Sequence, residues 1–204
     1  IISKLNSNIY FCLARKNDQI TTYDNTFISL QRLNSISQNY ELRDFSIEES
    51  KMLLEKIKPN DIRGLNKTEK LSLCEEIRSV IVDVVTNGGG HLASNLGAVE
   101  STVALFSVFD FPKDKIVFDV GHQCYPYKLL SGRWDKFSTL RQAGGISGFP
   151  KRTESEYDAY DTGHAGTSVS AAIGLAKARD LLGEKGAVIA YIGDGSFNNG
   201  LVYE

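Results

Sequence analysis

The sequence predicts an α/β fold, a sheet flanked by helices, and three observations carry that reading. Residues 187–192 form a short, β-branched apolar run that breaks into Gly193-Asp194-Gly195, the pattern of a buried strand ending at a turn. Residues 116–120 make a second such run, closed by Gly121. Helical patterns precede and separate these runs, so strand and helix alternate, as in open sheets whose ligands gather beyond the C-terminal ends of the strands.

The elements follow in order along the chain. Residues 1–51 are rich in Asn, Ser, Gln and Tyr and sustain neither a period of two nor one of 3.6, although "NTFISLQRLNSI" allows a short helix. After Met52 the helix caps and turn signals become orderly. Asn66, followed three residues on by Glu69, has the pattern of a capping box. Leu73, Ile77, Val80, Ile81 and Val84 then recur on one helical face until Asn87 and the glycines at 88–90 end it. "NLGAVESTVALFSVFD" reads as a second helix with a broad apolar face, and residues 116–120 as a strand. Residues 167–182 make a helix of small residues closed by Gly183, whose missing Cβ permits a left-handed cap; the strand at 187–192 follows.

With 204 residues, of which 42% are hydrophobic, the chain can bury a real core as one α/β domain or part of a larger one. A formal charge of -2 argues against a general polyanion binder, so no nucleic-acid partner is expected. No apolar run has the length of a membrane span and no signal-peptide pattern opens the chain, which points to a soluble protein without a membrane partner. Cys12, Cys74 and Cys124 are odd in number and lack CxxC spacing, and are read as buried or incidental thiols in a reducing cytoplasm.

Four stretches carry possible chemistry, all expected in loops at element ends: "GGGHLASNLG" (88–97), "DVGHQCYPYK" (119–128), "DTGHAGTS" (161–168) and "GDGSFNNG" (193–200). The three histidines of the chain, His91, His122 and His164, each follow a glycine in the first three. Glycine lets a ligand approach the backbone closely, and histidine supplies a donor, an acceptor or a proton near neutral pH. One Gly-His pair is more often incidental; three of three at element ends favours a shared site. Gly-Asp-Gly alone is a common turn. Placed after a buried strand and before small polar residues, Asp194 instead suits Mg2+, with glycines that let phosphate oxygens reach backbone N–H groups. The chain has neither GxGxxG nor GxxxxGK[ST], so a dinucleotide fold or a P-loop matches poorly.

Taken in order, "GGGHLASNLGAVESTVAL", "FDVGHQCYPYKLLSGR", "LRQAGGISGFPKRTESEYD", "TGHAGTSVSAAIGLAKARD" and "IGDGSFNNGLVYE" resemble the N-terminal, diphosphate-binding part of the 1-deoxy-D-xylulose-5-phosphate synthases over residues 52–204. The segment "GGISGFPKRTESEYDA" separates this family from general transketolases. The resemblance implies a partial thiamine-diphosphate-binding, transketolase-like domain with a parallel sheet flanked by helices. It implies a transferase that joins pyruvate and glyceraldehyde 3-phosphate with loss of CO2, using thiamine diphosphate and Mg2+, whose product feeds isoprenoid and thiamine synthesis. It also implies a fragment of a homodimeric enzyme, inactive alone, because the family's metal signature closes with an Asn downstream of Glu204 and the glutamate that activates the cofactor lies in a later domain. Met52 sits where the family's chains usually begin, so residues 1–51 are expected to be an N-terminal extension outside the enzyme fold.

Roles carry over residue by residue on the same resemblance. Asp194 matches the Mg2+ ligand, and Gly195 and Ser196 match positions contacting the diphosphate. His122 and the turn Gly163-His164-Ala165 match cofactor-binding positions. His91 matches a histidine at the reaction centre, as a proton-transfer or substrate-orienting group. Ala165-Gly166 departs from the Ser-Ser or Ala-Ser the family often has after Gly-His, which keeps backbone contacts and removes any hydroxyl contact. Arg152 is read as a solvated loop charge before a phosphate contact. Two alternatives stay open: another transketolase-type thiamine-diphosphate enzyme, with a ketose phosphate as donor, and a non-catalytic partial domain.

Overall fold

The computed structural model describes residues 53–204 and, as backbone, residues 9–14. Three parallel strands, β1 (Ile9–Ala14), β2 (Lys115–Phe118) and β3 (Val188–Gly193), form a sheet in the order β1-β3-β2. Ile189 in the central strand pairs with Tyr10 on one side and Ile116 on the other. Among the described residues the sheet is accompanied by helices α1 (Lys67–Gly88), α2 (Leu92–Leu96), α3 (Val99–Val108), α4 (Tyr125–Lys128), α5 (Ser168–Leu181) and α6 (Asp194–Phe197).

The alternation of side chains along a strand divides β2 and β3 between two cores. Ile116, Phe118, Ile189 and Tyr191 face a large core built with α1, α3 and the residues after β2, including Ile77, Ile81, Phe106 and Tyr127. Val117, Val188, Ala190 and Ile192 face the opposite layer, where Val169, Ala172 and Ala176 of α5 cover them. Small residues on α5 let it lie close to the sheet. Burial on both faces explains why these strands read as continuous apolar runs. An aromatic series binds the larger core, with ring centroids of Phe118 and Tyr127 5.3 Å apart and those of Phe106 and Phe111 5.0 Å apart.

The capping box at α1 forms as expected: the Asn66 side chain accepts from Glu69 N at 3.0 Å and Glu69 Oε2 accepts from Asn66 N at 2.7 Å. Gly183 closes α5 with φ of +68°. Two expectations change. The apolar run at 95–110 is two helices, because Gly97 and Ala98 close α2 back onto Ala93 O and Asn95 O before α3 begins. The strand expected at 116–120, β2, ends at Phe118, two residues early, because the chain turns sharply at Val120 (φ +59°) and Gly121 (φ +88°). The strand at Ile9–Ala14 was not foreseen, although its six residues make an unbroken apolar run like that at 187–192. The rest of residues 1–51, including the short helix allowed within "NTFISLQRLNSI", lies outside the described residues. No helix among the described residues is long and apolar enough to cross a membrane.

Cys74 and Cys124 are buried, and burial pushes both thiols up to about 12, so they stay protonated. Glu76 is the polar exception on the buried face of α1. It is 4% exposed, its Oε2 accepts from Leu54 N at 2.7 Å, and its Oε1 has no partner among the described residues. Burial raises its pKa from 4.5 to about 7, against the pull of the Leu54 and Leu53 N–H groups. A carboxyl raised in the folded state favours folding at low pH and loses that contribution as pH climbs from its unfolded value through the folded one. Glu76→Gln keeps an acceptor for Leu54 and removes the charge, so its melting temperature is expected to rise relative to the parent between pH 4.5 and 7. Parallel melting profiles over that range would refute this.

Candidate functional site

The site grows from Asp119, the residue after β2. Its side chain is 1% exposed and accepts from Gly166 N at 2.9 and 3.1 Å and from Ser168 N at 3.1 Å. These bonds satisfy a buried carboxylate and fasten the start of α5, so the turn Gly163-His164-Ala165 is anchored against the end of β2. Gly121 N closes onto Asp119 O at 2.6 Å. A Cβ at Gly121 would lie 2.2 Å from Thr162 Oγ1 and 2.6 Å from Pro150 Cδ, so only glycine lets the His122 loop pack against these residues.

His91 and His122 meet directly, ring centroids 5.5 Å apart at 66°. His91 is the N-cap of α2, a short helix where the sequence suggested a loop, and its N–H donates to Tyr125 Oη at 3.4 Å. Phe149 lies 6.1 Å from the His91 ring. Burial lowers the His122 pKa, the neighbouring His91 lowers it further, and Asp119 acts in the opposite sense. His122 is therefore biased toward the neutral imidazole. Its Nδ1 and the hydroxyl of Thr162 are buried without a partner among the described residues.

Phe149 is held in place by a buried ionic cluster. Lys128, wholly buried, pairs with Glu154; Arg133 bonds Glu154 Oε1 at 3.0 Å and Asp158 at 2.6 and 3.0 Å. The same carboxylates accept Ser147 N at 2.7 Å and Lys151 N at 2.9 Å. Burial alone would raise the Glu154 pKa, but the hydrogen bonds from Lys128 and Ser147 and the charges of Lys128 and Arg133 hold it below the usual carboxylate range. Residues 147–158, within the stretch 144–159 that was expected to separate the family from general transketolases, are thus folded by two cations and two anions. Arg152, by contrast, is 65% exposed and pairs with Asp161 at 3.2 Å, in keeping with a solvated loop charge.

Asp194 follows β3 directly and is exposed, as is His164. Gly195 and Ser196 lie in α6, a single helical turn in place of the expected loop. The Asp194 and His164 loops adjoin through Gly166, where a Cβ would come within 2.8 Å of Asn199 Cγ. All four stretches therefore gather at the C-terminal edge of β2 and β3, with His91 and His122 in contact. Among the described residues no group of three His, Cys, Asp or Glu side chains is placed to hold a metal, so Asp194 stands as a single carboxylate. Two clefts, of about 590 and 650 Å³, lie along Gly144-Gly145 and Glu154 and include none of these site residues.

Sequence reasoning missed Asp119 and Asn95. Asp119 had a signal, since an acidic residue directly after a buried strand repeats the pattern at Asp194. Asn95 had a weaker one, a polar residue at the edge of an apolar helical run. Asp119→Ala is expected to destabilise the chain by about 2–3 kcal/mol through lost charged hydrogen bonds. It is also expected to speed hydrogen exchange at the Gly166 and Ser168 amides; unchanged protection there would count against this anchoring. Glu154→Gln leaves Lys128 and Arg133 short of a buried counter-charge, with an expected cost of about 3–5 kcal/mol in denaturant unfolding.

A family model described as 1-deoxy-D-xylulose-5-phosphate synthase matches residues 53–204. The 1-deoxy-D-xylulose-5-phosphate synthase 1 of Geobacter metallireducens is 58% identical over 146 residues, covering 72% of this chain and 23% of that protein. The 1-deoxy-D-xylulose-5-phosphate synthase of Dictyoglomus turgidum is 58% identical over 154 residues, 75% of this chain and 25% of its own length. That of Clostridium kluyveri is 58% identical over 145 residues, 71% of this chain and 23% of its own length. The chain spans about a quarter of the length of these curated relatives. With a family match across all of its continuously described residues, the chain belongs to the 1-deoxy-D-xylulose-5-phosphate synthase family.

Proposed function

We propose that residues 52–204 form the diphosphate-binding portion of a transferase that condenses pyruvate with glyceraldehyde 3-phosphate to 1-deoxy-D-xylulose 5-phosphate, releasing CO2. The observation that carries this reading is the gathering of the three histidine loops and Asp194 at one sheet edge. In this reading the intact enzyme is a homodimer, and residues 1–51 are an N-terminal extension outside the enzyme fold, with Ile9–Ala14 pairing onto the edge of its sheet.

The residues fit thiamine diphosphate and Mg2+. Asp194 offers a hard carboxylate oxygen in open solvent, which suits Mg2+. Gly195, Ser196 and the Gly163-His164-Ala165 turn offer small residues and backbone N–H groups to the diphosphate. His122 offers a buried Nδ1 that still needs a partner. When bound, thiamine diphosphate supplies the nucleophilic carbon and the electron sink for decarboxylation.

The chain's own contribution is position and proton traffic. His122, biased neutral, leaves Nδ1 open to a hydrogen bond without bringing a positive charge to the site. His91, exposed beside it, is placed to give or take a proton at its imidazole or to orient a substrate hydroxyl. Phe149, carried on the ion-anchored segment, stands at the edge of the His91 ring, with the two rings 62° apart.

In this family's pattern the two ends of the cofactor are held by different domains, so the 204-residue chain is expected to bind thiamine diphosphate weakly and only with Mg2+. Calorimetry tests this. Asp194→Ala is expected to lower affinity in Mg2+ at least tenfold, about 1.4 kcal/mol, with no further loss in the presence of a chelator. Equal binding by parent and variant in Mg2+ would overturn the metal assignment. Release of CO2 from pyruvate is expected only when the downstream length carried by the relatives is supplied; a ketose phosphate replacing pyruvate as donor would favour a transketolase-type enzyme.

A further inference from the structure

We propose that Asn95 is a positioning residue that sets the separation of the His91 and His122 rings. Asn95 is fully buried, at 0% exposure, and three of its four hydrogen-bonding positions are filled. Its Nδ2 donates to His91 O at 2.5 Å and to His122 O at 2.7 Å, while its Oδ1 accepts from Tyr125 N at 2.8 Å. The orientation of the amide admits no exchange of its oxygen and nitrogen. Two carbonyls accept only and one N–H donates only, so the nitrogen must face the histidines.

One side chain therefore ties together the backbone of His91, four residues before it, and that of His122, 27 residues after it, each of which carries an imidazole. Ser94 Oγ adds a longer bond to the same His122 carbonyl at 3.4 Å. Tyr125 closes the arrangement, its N–H on Asn95 and its hydroxyl accepting from His91 N. No common replacement serves the same three groups. Aspartate retains an acceptor for Tyr125 N but turns an oxygen toward two carbonyls, leucine offers neither donor nor acceptor, and glutamine is one methylene longer in a site without free space.

The consequence is a histidine pair held at fixed spacing before any ligand arrives. This rests on the proposed function only for what the pair does in catalysis; the clamp itself belongs to the chain. His91 and Asp119 are the titratable groups that act on His122, in opposite senses, so the clamp shows in how strongly His91 influences His122.

The test is an imidazole titration by NMR on the 204-residue chain with labelled histidine. In the parent, His91→Ala is expected to raise the His122 pKa, because it removes a neighbouring positive charge. In Asn95→Asp, which keeps the bond from Tyr125 N, the cross-peak between the two rings is expected to vanish and His91→Ala to have no further effect on His122. Asn66→Ala, which removes the distant cap of α1, should destabilise the chain yet leave that coupling intact. Should Asn95→Asp lose dispersed signals, the neutral Asn95→Ser is read in the same way. Retention of both the cross-peak and the His91 effect in an Asn95 variant would overturn the proposal. Failure of the chain to bind thiamine diphosphate would instead strike at the proposed function and leave the coupling result standing.

Discussion

A carboxylate buried at the end of β2 is the constraint on which the site depends. Asp119 sits where a charge is costly, and it is tolerated because the N–H groups of Gly166 and Ser168 surround it. Those amides open α5, and α5 in turn covers one face of β2 and β3 with Val169, Ala172 and Ala176. The helix can dock only when its first turn reaches Asp119. Sheet packing and placement of the His164 turn are consequently one event. The left-handed turn at Val120 and Gly121 belongs to the same device, since it reverses the chain immediately after Asp119 and directs His122 back toward His91. A β-branched residue at positive φ is unfavourable, and its presence beside the site is the kind of local strain that surrounding packing must hold.

Polar groups in the interior share a division of labour with the apolar ones. The two cores on either side of the sheet set the layers, but they leave the loops beyond the strand ends free to slide. Three buried polar arrangements remove that freedom: Asp119 for the 163–168 turn, Asn95 for the two histidine segments, and the Lys128–Glu154–Arg133–Asp158 cluster for residues 147–158. The cluster holds equal numbers of positive and negative charges, and its carboxylates also accept backbone N–H groups. Burial of the charges is compensated locally by partners rather than by the surrounding core. Hydrophobic packing alone has no comparable directionality, so it is the hydrogen-bond geometry that fixes where each ring stands.

Much of the fold was legible in the sequence where periodicity and capping agree. Asn66 with Glu69, the stripe from Leu73 to Val84, and Gly183 after a helix of small residues each announce their element through local chemistry. The strand at 187–192 was visible within one residue because burial on both faces leaves an unbroken apolar run. The break between α2 and α3 was not, because Asn95 is satisfied by carbonyls from His91 and from the distant His122 loop, a contact that no local pattern records. Nor was the early end of β2, since Val120 has strong strand preference and is overruled by the turn that Asp119 and Thr162 impose. The gathering of the glycine-flanked histidines was anticipated; the buried residues that gather them were not.

The two halves of the edge are built to different degrees, and this bears on how a ligand is received. On the histidine side, His91 and His122 are bound through Asn95, Tyr125 and the strained turn, and Phe149 is fixed by ion pairs behind it. On the Asp194 side the carboxylate is exposed, and the bonds of α6 and of the residues after it are local, such as Asn198 Nδ2 to Asp194 O at 3.2 Å and Leu201 N to Asn199 Oδ1 at 3.0 Å. Local bonds exposed to water add little rigidity compared with buried ones between distant segments. The imidazoles therefore present a geometry already set, while the carboxylate stands exposed without buried bonds behind it. The link between the halves is Gly166, bonded to Asp119 through its N–H and pressed against Asn199 on its other side. Through that one glycine, order built around the buried Asp119 reaches the exposed turn that begins at Asp194.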